Sequence, residues 1–400
     1  MQIKPIFSSA VLLLFLTCCG QETSNNTAES DPSPTEKTIV LGAANFDEYL
    51  PALKQKNVAV VVNQTSIIGS THLVDTLLSR GVNLVKIFSP EHGFRGEAAD
   101  GEKVDYTADQ ETGVSLVSLY GKTRKPTREM LEDVDVIIFD IQDVGARFYT
   151  YISTMHYIME ACAEYDKKFI VLDRPNPNGD YVDGPVLDLK FRTFVGMHQI
   201  PIVHGLTVGE LAEMINGEGW LENGARCDLT VIKCREYHHQ KPYSLPIRTS
   251  PNLPNDQAAR LYPTLCLFEG TAMSIGRGTP FPFQAIGYPN EIYGSFTFTP
   301  KSIEGVSKYP KLENERCFGV DLRDKKDNLK FSLSYLIDFY HKFPEKEKFF
   351  IKSFTRLAGN DKLQQQIIAG LSEEEIRQTW EEDLNRYKEI RKKYLLYPEN

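Results

Sequence analysis

The residues of this chain best equipped for chemistry fall in four short polar clusters. They are Asn63-Gln64-Thr65-Ser66, Ser89-Pro90-Glu91-His92-Gly93-Phe94-Arg95-Gly96-Glu97, Asp140-Ile141-Gln142-Asp143-Val144-Gly145-Ala146-Arg147 and Asp173-Arg174-Pro175-Asn176. Several carboxyl groups brought to one place suit hydrolysis, one supplying a proton to a leaving group and another stabilising a cation or activating water. Arginines beside Tyr149 and Tyr151 suit a sugar face and an acidic substituent. Each cluster directly follows an apolar, β-branched run: Val58–Val62, Leu84–Phe88, Val134–Phe139 and Phe169–Leu172. Such runs read as buried parallel strands, and in an open α/β sheet ligands bind outside the carboxyl ends of the strands. The four clusters are therefore expected to converge on one site.

Each candidate has a structural reading beside its chemical one. Glu91, between Pro90 and the turn-permitting Gly93 and screened by Phe94, is placed to act as a general acid, or else it caps a helix or pairs with Arg95. Asp140 and Asp143 are three apart, so one can face the cleft while the other fixes the loop; Arg147 either meets a substrate or neutralises one of them. Asp173, Arg174 and Asn176 make a binding edge or a salt-bridged turn. His92 and His204 with Asp140 or Asp173 offer ligand types for a metal, but no HExxH or HxH spacing supports one, and no metal or other cofactor is expected. Ser66 and Ser89 lack a GxSxG elbow, and Gly93-Phe94-Arg95-Gly96 matches no nucleotide-binding loop. Further along, Glu269 and the glycine-flanked Arg277 stand out as ligand contacts or as parts of a packed loop.

The elements that position these groups follow from periodicity. Leu73, Val74, Leu77 and Leu78 share a helix face, as do Ile152, Met155, Ile158, Met159 and Cys162. A further strand is expected at Ile200–Val203, then a helix opened by a Thr207/Glu210 capping box, which makes Glu210 a cap rather than a catalyst. After a last strand near Leu229–Lys233 the alternation fades through the proline-rich stretch 241–254. Helices are predicted at Ser332–His341 and Leu363–Ala369, and one long final helix from a Ser372/Glu375 box through Trp380, Leu384, Tyr387 and Tyr394. The fold class is α/β: a Rossmann-like parallel-sheet domain over 38–245 and a smaller α+β domain over 246–400, with the site in the cleft between them.

At the N-terminus, Lys4 precedes an apolar run from Ile6 to Leu16 that is too short to span a bilayer. Leu16-Thr17-Cys18-Cys19 resembles a lipobox, so residues 1–19 read as a lipoprotein signal with Cys19 lipidated, and 20–37, almost devoid of apolar residues, as a flexible tether. The expected location is the cell envelope, periplasm-facing, with the anchor as the membrane contact. A net charge of −9 without a basic block argues against nucleic acid as a partner, and no protein partner is indicated. The cysteines beyond the signal are Cys162, Cys227, Cys234, Cys266 and Cys317, read as buried thiols, with a Cys227–Cys234 bridge as the alternative.

The polar clusters, together with Ser250-Pro251-Asn252-Leu253-Pro254, Phe268-Glu269-Gly270-Thr271 and Gly276-Arg277-Gly278-Thr279, resemble the exo-β-N-acetylmuramidase NamZ family from about residue 38 to the C-terminus. The resemblance implies a glycoside hydrolase that removes β-1,4-linked N-acetylmuramic acid (MurNAc) from the non-reducing end of peptidoglycan-derived MurNAc-GlcNAc oligosaccharides. On that reading Glu91 is the expected acid, with Asp143 or Asp140 as its partner and Glu269 as the less favoured candidate. Asn63, His92, Arg95, Arg147, Tyr149, Asp173, Arg174, Asn176, His204, Glu269 and Arg277 then become substrate contacts. Inversion, retention and attack by the substrate's own acetamido group are all open; carboxyls about 6.5–9.5 Å apart would favour the first and about 5–5.5 Å the second. A lipid-anchored muropeptide-binding protein is the competing class and a cell-wall esterase the third.

Overall fold

The computed structural model describes residues 37–91, 93, 94, 108–121 and 123–400, of which 39–400 form one compact unit. The predicted signal, Cys19 and most of the tether lie outside the described residues, as do His92 and Arg95.

Six parallel strands form the main sheet: β1 (Val58–Val62), β2 (Leu84–Ser89), β3 (Ser115–Ser118), β4 (Val136–Asp140), β5 (Lys168–Leu172) and β6 (Asp228–Ile232). Their spatial order is β3-β2-β1-β4-β5-β6, the doubly wound arrangement whose direction reverses between β1 and β4. Successive residues serve opposite faces. Ala59, Val61, Ile137, Phe139, Phe169 and Val171 enter one core, while Val58, Val60, Val62, Ile138, Ile170 and Leu172 enter the other. Both cores are covered, which is why the central strands are mostly apolar. Helices α1 (Phe46–Leu53) and α2 (Leu73–Ser79) close the second face through Tyr49, Leu53, Leu73, Val74 and Leu77. On the first face lie α3 (Tyr151–Glu164) and α4 (Val208–Gly217), the latter opened by the expected Thr207/Glu210 capping box.

The C-terminal part carries a three-stranded antiparallel sheet, β7 (Ala285–Tyr288), β8 (Phe296–Phe298) and β9 (Cys317–Asp321), in the order β8-β9-β7. This part also carries α5 (Asp256–Leu265), α6 (Ser334–Lys342), α7 (Lys362–Ile368), α8 (Glu373–Gln378) and α9 (Glu381–Arg391), the last reaching back to His204 and Gly205 through Tyr387 and Arg391. Its Phe268, Phe339, Phe354 and Trp380 belong to the same apolar cluster as the first face of the main sheet, so one core runs through both parts. Among the described residues no helix is long and apolar enough to cross a membrane.

Two expectations are corrected and one element went unread. Ile200–Val203 is no strand of the sheet: Val203 makes isolated bridges to Ala146 and Asp183, and the Ile202 carbonyl accepts from the Arg147 amide, so the segment crosses over the sheet instead of extending it. Conversely, the edge strand β3 went unread because Ser115 and Ser118 leave no apolar run. The long final helix is two helices, since the Thr379 and Trp380 amides bond three residues back and the chain turns to bury the indole. The capping box at Ser372 and Glu375 is present. All five cysteines in the described residues are free and buried.

Candidate functional site

The sheet's switch point sets the site. Val62 pairs with Asp140 across β1 and β4, so the chain leaves both strands side by side. The Ser66 hydroxyl donates to the Asp140 carbonyl, and the Gln142 amide donates to Thr65 Oγ1 at 3.0 Å. Gln142 Nε2 donates to Pro175 O at 2.7 Å, tying in the loop after β5. From the C-terminal side, Thr249 O accepts from Gln64 Nε2 at 3.0 Å and from the Tyr149 hydroxyl at 2.9 Å, which lays the 249–254 segment over the strand ends. After β2, Gly93 adopts a φ of 76° and its amide returns to Pro90 O at 3.1 Å, making the tight turn that presents Glu91. Glu91 is half-buried, and its Oε2 accepts from Thr150 Oγ1 at 3.1 Å.

Several buried polar atoms at this edge have no hydrogen-bond partner among the described residues: Asn63 Nδ2, Gln64 Oε1, Gln142 Oε1, Asp143 Oδ1, Arg174 Nη1 and His204 Nε2. Buried polar groups are nearly always satisfied, so such a concentration on the loops of a switch point is what a polar ligand requires. Asp143 shows the division of labour: Oδ2 accepts from the Gly145 amide at 2.7 Å, fixing the carboxyl, and leaves Oδ1 over. The Leu206 amide donates to His204 Nδ1, which puts the neutral ring's hydrogen on Nε2, 3.4 Å from Asp143 Oδ2. Gly145 must be glycine here: its φ is 76°, and a Cβ would sit 2.2 Å from Asn176 Oδ1.

Other predicted contacts are committed to the fold. Asp140 is fully buried, and its two oxygens accept from Arg174 Nε at 2.5 Å and Nη2 at 2.9 Å. Burial alone would lower the Arg174 pKa, but the Asp140 carboxylate outweighs it and leaves it raised. Asp140, expected as a possible catalyst, is thus the counter-ion of a buried fork. Arg147, expected on substrate, donates to the carbonyls of Pro185, Ile200, Leu357 and Ala358, and burial without a counter-ion lowers its pKa to about 9. It pins the loop after β4 to the C-terminal part. Tyr149 is buried edge-on to Tyr151 and Tyr262, which removes its ring from any sugar face. Asn176 donates to Leu206 O and accepts from the Asn178 amide. Ser66, already donating to Asp140, is not arranged as a nucleophile.

Asp173 accepts from four donors: the amides of Arg174 and Gly209 and the hydroxyls of Thr207 and Tyr397, the last at 2.6 Å. Burial pushes its pKa up to about 6 against the Tyr397 bond. A carboxyl raised in the folded state from 3.8 adds stability that is complete below the unfolded pKa and is lost as pH rises through about 6. The stability difference between wild type and Asp173→Asn is therefore expected to shrink by about 2 kcal/mol from pH 4 to pH 7 in denaturant titrations. A difference that stays level across that range would refute this.

Glu269 and Arg277 belong to the C-terminal part. Arg277 Nε meets Glu269 Oε1 at 2.7 Å on a cavity in the C-terminal part. The flanking Gly276 and Gly278, expected to admit a ligand, instead admit the protein's own backbone: added Cβ atoms would stand 2.8 Å from Phe281 O and 2.5 Å from Lys301 O. Sequence reasoning missed Thr150, which holds Glu91, and Gln64 and Gln142, whose amides bridge the loops. Gln64 and Gln142 stood inside the polar clusters and were legible there; Thr150 had no signal. Among the described residues no group of three His, Cys, Asp or Glu side chains is close enough to share a metal ion.

Fold and site together define a doubly wound α/β protein with a cluster of polar side chains on the loops of its switch point. The N-terminal model of the exo-β-N-acetylmuramidase NamZ family matches residues 58–257 and the C-terminal model residues 260–397. The chain belongs to that family. It is 40% identical over 375 residues to the peptidoglycan β-N-acetylmuramidase NamZ of Bacillus subtilis (strain 168), covering 88% of this chain and 89% of that protein. Two solved DUF1343 family proteins of Bacteroides fragilis NCTC 9343 share the fold. One is 48% identical with a TM-score of 0.85 over 91% of this chain and all of that one. The other is 31% identical with a TM-score of 0.78 over 90% and 99%.

Proposed function

We infer that this protein is an exo-acting glycoside hydrolase releasing β-1,4-linked MurNAc from the non-reducing end of peptidoglycan fragments, in the service of cell-wall turnover. The observation that carries this reading is the family match, which runs through both parts of the chain from residue 58 to 397. Within the cleft between the parts, Glu91 protonates the leaving glycosidic oxygen, its second oxygen steadied by Thr150. Asp143 stabilises the oxocarbenium-like transition state or activates water through Oδ1, and His204 holds the carboxyl's far side. Asn63 Nδ2, Gln142 Oε1 and Arg174 Nη1 supply hydrogen bonds to the sugar. His92 and Arg95 follow Glu91 closely enough in the chain to join them. Lipidation at Cys19 and a tether over 20–37 would hold the enzyme to an envelope membrane facing the periplasm, with 38–245 and 246–400 as its two domains.

Matched chromogenic β-N-acetylmuramide and β-N-acetylglucosaminide test the activity. Wild type is expected to release chromophore from the muramide alone. Folded protein that cleaves neither would instead support sugar capture without catalysis.

A further inference from the structure

The C-terminal part contains an open cavity of about 310 Å³. This is near the small end of the roughly 300–1,000 Å³ of ligand pockets, so it suits one substituted group and not a saccharide chain. Its charged lining is Glu269, Arg277, Lys308 and Lys311, three cations against one carboxylate. Glu269 is paired with Arg277, so among the described lining residues Lys308 and Lys311 contribute a net positive charge. Lys311 is fixed: its ammonium donates to Glu269 O at 2.8 Å and Thr271 O at 2.6 Å, and burial lowers its pKa to about 8, so it stays protonated at neutral pH. Lys308 stands exposed at the mouth, its ammonium 5.7 Å from the ring of Tyr309, which is itself 82% exposed. Met273, Ile275 and Val306 give the wall an apolar stretch beside Ser274 and Ser307.

A hydrogen bond and a relay of rings link this cavity to the strand-end loops. Asn252, in the segment laid over the strand ends, donates from Nδ2 to Val306 O at 2.9 Å. A chain of rings runs from Tyr149 to Tyr262 at 5.7 Å and on to Phe283 at 5.0 Å, over which the Arg277 guanidinium sits at 5.1 Å. Tyr149 immediately precedes Thr150, the residue that holds Glu91.

We propose that this cavity is a carboxylate subsite of the sugar cleft, in which Lys308 contacts the acidic substituent, Arg277 and Lys311 supply fixed positive charge behind it, and the apolar wall takes the adjoining methyl group. It rests on the muramidase reading, in which the terminal sugar carries a lactyl ether with both a carboxylate and a methyl; the carboxylate of an attached peptide offers the same chemistry.

The test compares a chromogenic β-N-acetylmuramide with its lactyl methyl ester and with its lactyl-alanine amide. Losing a charge-assisted contact costs about 10- to 100-fold, so wild type is expected to prefer the acid over the ester by that factor in kcat/KM. In Lys308→Gln and Lys311→Met the preference should shrink, through KM for the acid, with the ester little changed. Lys308 is exposed, so its variant remains informative if Lys311→Met does not fold. A preference for the alanine amide over the ester, sensitive to the same substitutions, would assign the carboxylate to the peptide. Equal rates on acid and ester in wild type, or an undiminished preference in Lys308→Gln, overturn the subsite. Cleavage of none of the three fails the muramidase reading itself.

Discussion

Glu91→Gln is expected to lower kcat on an unactivated MurNAc-GlcNAc disaccharide by about 10²- to 10⁴-fold, the usual contribution of a positioned general acid. On an aryl muramide the loss should be far smaller, because a phenolate leaves without needing a proton. That contrast separates an acid from a residue that merely shapes the cleft, whose removal would slow both substrates alike. Glutamine keeps an oxygen to accept the Thr150 hydroxyl, the protein partner described for this carboxyl, so thermal stability should scarcely change. Parallel kinetics on the two substrates with a melting curve decide it. Equal losses on both would remove Glu91 from the acid's role.

The second large effect is on stability. Asp140→Asn leaves the Arg174 guanidinium fully buried without its counter-charge, and breaking a buried pair by removing one partner costs about 3–5 kcal/mol. Arg174→Met strands the carboxylate in the same way. The double variant Asp140→Asn/Arg174→Met should recover much of the loss, since no unpaired charge then remains, and a denaturant double-mutant cycle measures the coupling. Additive losses with no coupling would show that the fork does not hold the switch point together. The loops after β1, β4 and β5 meet at this pair, where Arg174 Nη2 also donates to Ile67 O at 3.2 Å. Its loss should loosen the loop that carries Asp143 as well.

How much of this was legible in the chain depends on whether the information is local. Strands β1, β2, β4 and β5 announced themselves because both faces of a parallel sheet are buried, which makes most of their residues apolar. The polar clusters at their ends were legible because a parallel strand must hand its chain to a loop at the same edge as its neighbours. The capping boxes at Thr207 and Ser372 depend only on residues three apart and formed as read. The edge strand β3, with serines at both ends and one neighbour, had no such mark.

Within the clusters, residue type by itself determined that carboxylates, amides and guanidinium groups would gather at one site. It did not determine which of them would be left for a ligand. Arg147 and Arg174 look alike in sequence, yet one faces four carbonyls from segments up to 211 residues away and the other a carboxylate 34 residues back. Asp140 and Asp143 are three residues apart, but β4 carries Asp140 into the sheet against Arg174 while the turn at Gly145 holds Asp143 with one oxygen unbonded among the described residues. A side chain's partners are chosen by which distant segments pack over it, and burial makes that choice binding, because a polar group removed from water must take whatever partner the tertiary fold supplies.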